Sequence, residues 1–289
     1  MRAPASLAQF VACRLRCPIC ATEFVADEIF GVLPSHRETD FRLVYDGPDP
    51  LHSHLHACPQ CRYAAYREGF ETHPTDEDEL LDLVEDDPRS LPRPTTLIPD
   101  DEEIADLRRY IRSGEFTDGL VAAGRESFGA ERYLLAARVH EFVAEEDPLG
   151  VAHFILRAAW CARGARDKVL ERRSLKELAG RLHPLVENGQ PSDSADRIRL
   201  LYLAGEVARR TGDFARASDL FSMVEREADA DEEEGAFLCS LARRQAMLTL
   251  IKSEVNAVIP PALPTTRGHG HGDDEEESFD EDDGGNSLN

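Results

Sequence analysis

The chain has 289 residues, 42% of them hydrophobic, and carries a formal net charge of −23. That length can bury one or two cores, and no apolar run approaches the ~20 residues that a membrane-spanning helix needs. The charge argues against a nucleic-acid partner, because phosphate binding depends on clustered cations.

The N-terminus, MRAPASLAQFVACRLRCPIC, is too short in apolar character for a secretory signal and runs straight into a Cys-Pro-x-Cys knuckle, Cys17-Pro18-Ile19-Cys20. A second knuckle, Cys58-Pro59-Gln60-Cys61, follows after 37 residues. Each Cys-x-x-Cys turns two sulfurs toward one point, and two such turns supply the four thiolates of a structural Zn²⁺. Four sulfurs leave no position for water or substrate, so the site is expected to build a fold and not to run a reaction. Seven cysteines, four of them paired in this way, suit a reducing cytoplasm better than a disulfide framework. Cys13 reads as a plain thiol, Cys161 and Cys239 as small core residues.

Between the knuckles, Phe41 to Tyr45 is a strand candidate, followed by the turn Asp46-Gly47-Pro48. Leu51 to Cys58 alternates in polarity, which predicts a strand with His52, His54 and His56 on one face. With four thiolates already completing a site, these histidines are not needed as ligands. Residues 1–75 thus form a small, zinc-ribbon-like β module. Residues 76–99 form a linker, acidic from Asp76 to Asp87 and then Pro-rich at Pro88, Pro92 and Pro94, which no helix can cross.

From Asp100 the apolar period becomes helical. Ile104, Leu107 and Ile111 mark a first helix with acids in its opening turn, and further helices are expected at about 131–145, 149–163, 166–187, 194–211, 213–227 and 231–257. Short connectors between them predict antiparallel neighbours. Leu200 to Val224 has the residue types and spacing of a tetratricopeptide repeat: Gly205, Ala208 and Ala217 are small where two helices meet, Gly212-Asp213 makes the turn, and Phe214 and Phe221 fill the groove. Residues 100–258 therefore read as a tetratricopeptide-like helical domain. The final stretch, 259–289, holds nine acids within Asp273–Asp283 and reads as a disordered acidic tail.

Cys17-Pro-Ile-Cys20, Phe24, Arg37, Asp40-Phe41, Tyr45, Pro50, Cys58-Pro-Gln-Cys61, Tyr63-Ala64, Ala159-Trp160 and Leu201 to Asp213 together resemble the bacterial family known as domain of unknown function 2225, over about residues 14–230. The resemblance implies a bacterial, cytoplasmic protein and brings no activity with it. Two positions depart from the usual knuckle: a glycine commonly follows the second cysteine, where the turn favours positive φ, and Ala21 and Arg62 stand there instead.

For function, no Gly-x-Ser-x-Gly, His-Glu-x-x-His or phosphate loop is present. His140, His153 and His183 read as helix-surface or satisfied core residues. The expectation is a cytoplasmic, non-catalytic interaction module that holds a protein partner in the helical groove, where Arg199, Tyr202, Glu206, Arg209 and Arg210 would clamp an acidic peptide. Asp273–Asp283 would compete for the same stripe from within the chain. An alternative of a different class is a thiol redox or metal-handling protein using the Cys-x-x-Cys pairs with His52, His54, His56 and the tail's His269 and His271.

Overall fold

A computed structural model describes residues 8–72, 90–94, 101–118, 128–228 and 232–259. The acidic part of the linker and the tail, with His269 and His271, lie outside the described residues.

Strands β1 (Gln9–Arg16) and β2 (Glu23–Phe30) form an antiparallel hairpin in register Arg16↔Glu23 to Gln9↔Phe30, and its turn is the first knuckle. A second hairpin pairs β3 (Pro34–Glu38) with β4 (Leu43–Tyr45). A third, β5 (Leu55–Ala57) and β6 (Ala64–Tyr66), is turned by the second knuckle. The short β7 (Glu71–Thr72) joins the free edge of β1.

The expected strand at 41–45 is present but shorter, and its partner β3 had no clear polarity signal. The expected strand Leu51–Cys58 is corrected. Asp49 caps a 3₁₀ turn at Pro50–His52 by accepting the Leu51 amide, and Pro50 fits its first position, so only Leu55–Ala57 stays extended. The three histidines consequently do not share a face: His56 is buried, while His52 and His54 are partly exposed.

The body is helical, as expected: α1 (Asp101–Arg112), α2 (Phe128–Val143), α3 (Pro148–Gly164), α4 (Lys168–Glu187), α5 (Ser194–Thr211), α6 (Phe214–Glu227) and α7 (Glu233–Leu250). From α2 onward each helix packs mainly on its neighbours in sequence. Aspartates start four of them: the carboxylates of Asp147, Asp167, Asp193 and Asp213 accept amide protons in the first turns of α3, α4, α5 and α6. Gly212, at φ 89°, ends α5 in the left-handed region, where a Cβ would be strained.

The α5–α6 pair meets through the small residues picked out above. A Cβ added to Gly205 would lie 2.8 Å from the Phe221 ring, and Ala217 and Phe221 have no exposed surface. Helix α7 stops at Leu250, short of the expected 257, where Lys252 takes positive φ. The chain then runs back to β8 (Val258–Ile259), which pairs with β3 in register Glu38↔Val258 and Arg37↔Ile259. Strands and helices share one buried core and belong to one compact unit, Met1–Ile259. Among the described residues, no helix is long and apolar enough to cross a membrane.

Candidate metal centre

The two knuckles are built alike. In each, the residue after the second cysteine donates its amide to the first cysteine's carbonyl, Ala21 to Cys17 and Arg62 to Cys58, both at 2.9 Å. The first cysteine's amide bonds across the turn, Cys17 to Thr22 and Cys58 to Tyr63. This geometry needs positive φ where the sequence lacks glycine, and Ala21 (58°) and Arg62 (67°) both adopt it. Arg62 has a second tie, an ion pair with Glu131 of α2.

The sulfurs converge. Cys17 Sγ lies 3.6 Å from Cys61 Sγ, and Cys20 Sγ lies 3.5 Å from Cys58 Sγ. A tetrahedron with metal–sulfur bonds of ~2.3 Å has edges of about 3.8 Å, so the four can close on one metal ion with little movement. Cys17 and Cys58 are buried, Cys20 and Cys61 partly so. The mutual contact of Cys17 and Cys61 pulls the Cys17 thiol down, to about 6, and pushes Cys61 up, with burial adding to the rise at Cys61 and raising Cys58. Beside the second knuckle the rings of Tyr63 and Phe70 meet edge to face at 5.2 Å, and Arg108 of α1 donates to the Ile19 carbonyl at 2.8 Å. The metal-ligand set predicted from spacing is thus assembled, and none of His52, His54 and His56 belongs to it.

His56 belongs elsewhere. Its Nε2 lies 3.0 Å from Glu28 Oε1, and Arg67 approaches Glu28 Oε2 at 3.4 Å. Cys13 completes this buried group, its thiol donating to the Ala26 carbonyl at 3.3 Å. Burial pushes that thiol up to about 11. The signal for the group was the hairpin itself: a turn at residues 17–22 places Glu28 among the apolar even-numbered residues of β2, an acid where Phe24, Ala26 and Phe30 line the inner face. The helical histidines are satisfied as expected: His140 by Asp147, His183 by Glu187, and His153 between Tyr66 and Arg157. Cys161 and Cys239 are core residues.

The predicted partner groove is corrected. Tyr202, Glu206 and Arg209 are fully buried and Arg210 nearly so. The arginines do bind carboxylates, but these belong to the chain itself. The turn Glu38–Arg42 between β3 and β4 enters the helical body: Tyr202 Oη donates to the Thr39 carbonyl at 2.9 Å, and Thr39 Oγ1 donates to Glu206 Oε1 at 2.8 Å. Glu206 is held by Arg209 at 2.7 Å, and Arg209 also reaches the Ser253 carbonyl. Asp40 receives Arg210 at 2.9 Å and Arg163 at 2.5 Å, and both arginines share Glu171. Burial alone would raise the Asp40 carboxyl; Arg163 and Arg210 outweigh it and hold the group well below the usual carboxylate range. Phe41, at φ 68°, seats its ring 5.2 Å from Tyr202. Arg199 sits apart, paired with Glu234 and Asp196 nearer the surface. Buried arginines need compensating charge; Arg209 takes it from Glu206 of its own helix, and Arg163 and Arg210 take it from Asp40 of the strand module together with Glu171 of α4.

A family model described as an uncharacterized protein conserved in bacteria (DUF2225) matches residues 10–248. No curated protein and no solved structure matches the chain.

Proposed function

We propose that this chain, which belongs to the uncharacterized bacterial family DUF2225, is a cytoplasmic interaction module with no catalysis of its own, its strand module stabilised by Zn²⁺ and its last helix contacting a protein partner. Zinc is favoured by four sulfur donors at near-tetrahedral separations, a set that selects a thiophilic ion and closes its coordination. The net charge of −23 speaks against nucleic acid as the partner.

The observation that carries the interaction reading is on α7 and just beyond it. Met247, Leu250, Ile251 and Val255 are 64, 73, 72 and 71% exposed, and the exposed Arg243 and Arg244 extend the same helix face. Exposed apolar side chains of this size, close together in the chain, are the kind that contact surfaces use. Arg243 is shared with Glu225 at 3.1 Å, so the face is chiefly apolar with Arg244 beside it, which suits the apolar side of an amphipathic helix with acidic flanks; the acidic partner expected for the groove is moved to this face.

A photo-crosslinking residue placed at Leu250 should trap one discrete protein in bacterial cells. Leu250→Glu with Ile251→Glu should weaken binding of that purified partner by at least about tenfold, the equivalent of ~1.4 kcal/mol. Val169, exposed elsewhere on the body, serves as the control. Equal trapping at Val169, or unchanged affinity in the double variant, would overturn the assignment. Metal analysis tests the other half: the four-cysteine centre should hold one zinc tightly, and that equivalent should be lost with Cys17→Ser.

A further inference from the structure

Beyond the four-cysteine centre, one other set of metal-ligating side chains comes together among the described residues: Cys13 of β1, Glu28 of β2 and His56 of β5, whose donor atoms all lie within 4.8 Å of one another. All three are buried. We propose that they form a second metal site, which takes a divalent transition metal through one sulfur, one oxygen and one nitrogen and leaves a coordination position for a small ligand.

Four observations support this. The three donors come from three different strands, so their meeting is a product of the tertiary fold and not of a local sequence motif. Their types are those of zinc-like sites, and a three-residue set is the pattern of sites with an open position, in contrast to the closed four-cysteine set. Arg67 approaches the Glu28 oxygen that does not face His56, which orients the carboxylate as an outer-shell partner does, and its charge offsets one of the two anionic ligands. Finally, a cavity of about 730 Å³ reaches His56, walled by Phe24, Ala26 and Ile29 of β2, His52 and Leu135. It brings open space to one of the three ligands, His56, while Cys13 and Glu28 stay behind its wall.

The rival chemistry for such a group is a thiol nucleophile with a His–Glu base pair. The geometry disfavours it: the Cys13 thiol is turned to the Ala26 carbonyl, not to His56, and burial keeps it protonated. Metal binding balances simply. Bonds form from the ion to Cys13 Sγ, Glu28 Oε1 and His56 Nε2; the Nε2–H···Oε1 hydrogen bond breaks, the ring passes that proton to solvent while holding one on Nδ1, taken up from solvent if the ring was neutral, and the thiol proton leaves to solvent.

The test is independent of the partner reading above. Full-length protein is titrated with Co²⁺, and bound metal is counted after desalting. Two equivalents per chain are expected, with one lost in Cys13→Ser and in His56→Gln and the other lost in Cys17→Ser. A single equivalent, unchanged by Cys13→Ser or His56→Gln, would overturn the proposal and leave the group as a buried hydrogen-bond network. Should either variant fail to fold, X-ray absorption of the loaded wild-type protein decides: nitrogen and oxygen alongside sulfur in the average ligand shell support the site, and sulfur alone refutes it.

Discussion

Asp40→Asn removes one negative charge from the junction between strand module and helices while keeping the side chain's shape. In the wild-type protein this carboxylate is fully buried between Arg163 and Arg210, with Glu38 and Glu171 completing the arginines' coordination. Breaking a buried pair by removing one partner typically costs about 3–5 kcal/mol, because the remaining charges stay desolvated. The glutamates retain part of the arginines' compensation, which places the expected loss at about 3 kcal/mol, the low end of that range. Urea denaturation followed by far-ultraviolet circular dichroism reads it, as a lower midpoint at an unchanged slope. The pH dependence carries the same sign. A carboxyl whose folded pKa is depressed contributes stability that is fully present above its unfolded pKa of about 3.9 and is lost as pH falls through the folded value. Asp40→Asn should therefore flatten acid unfolding below about pH 4. A loss under about 1 kcal/mol, or an acid limb identical to wild type, would refute the claim that this carboxylate locks the two parts together.

Two further substitutions probe local geometry. Ala21→Gly should stabilise the metal-loaded protein by roughly 1 kcal/mol, because it relieves the left-handed strain at φ 58°, less the extra backbone entropy of glycine; thermal unfolding at fixed zinc checks it, and destabilisation would show that the turn is not strained. Gly205→Ala should cost about 1–3 kcal/mol, since the new methyl would overlap the Phe221 ring and force α5 and α6 apart; a neutral result in chemical denaturation would mean that the ring yields freely.

What the sequence made legible was local chemistry. The cysteine spacing announced the metal centre, and the departure from glycine at Ala21 and Arg62 pointed to the two residues that take positive φ. Apolar period and short connectors located the helices to within a few residues, except where α7 ended early. The histidine row was misread because alternating polarity looks the same in a strand and in a chain that spends three residues in a 3₁₀ turn; Asp49-Pro50 was the overlooked marker. The arginines of α5 were rightly read as carboxylate binders, yet Asp40 lies 170 positions before Arg210. No pattern within a helix reveals which distant acid will fill it, so an internal contact took the form of an external groove.

The pairing of β8 with β3 has a consequence for how such proteins can evolve. Stacked helical repeats usually lengthen by duplication, each new unit settling on an open end. Here the strand that leaves α7 is stitched to the hairpin that precedes the helices, with Thr39 donating its amide to the Ala257 carbonyl beside the seam. An added repeat would carry that strand away from its mate and pull Ser253 off Arg209. Any added repeat would therefore need a new path from its last helix back to β3.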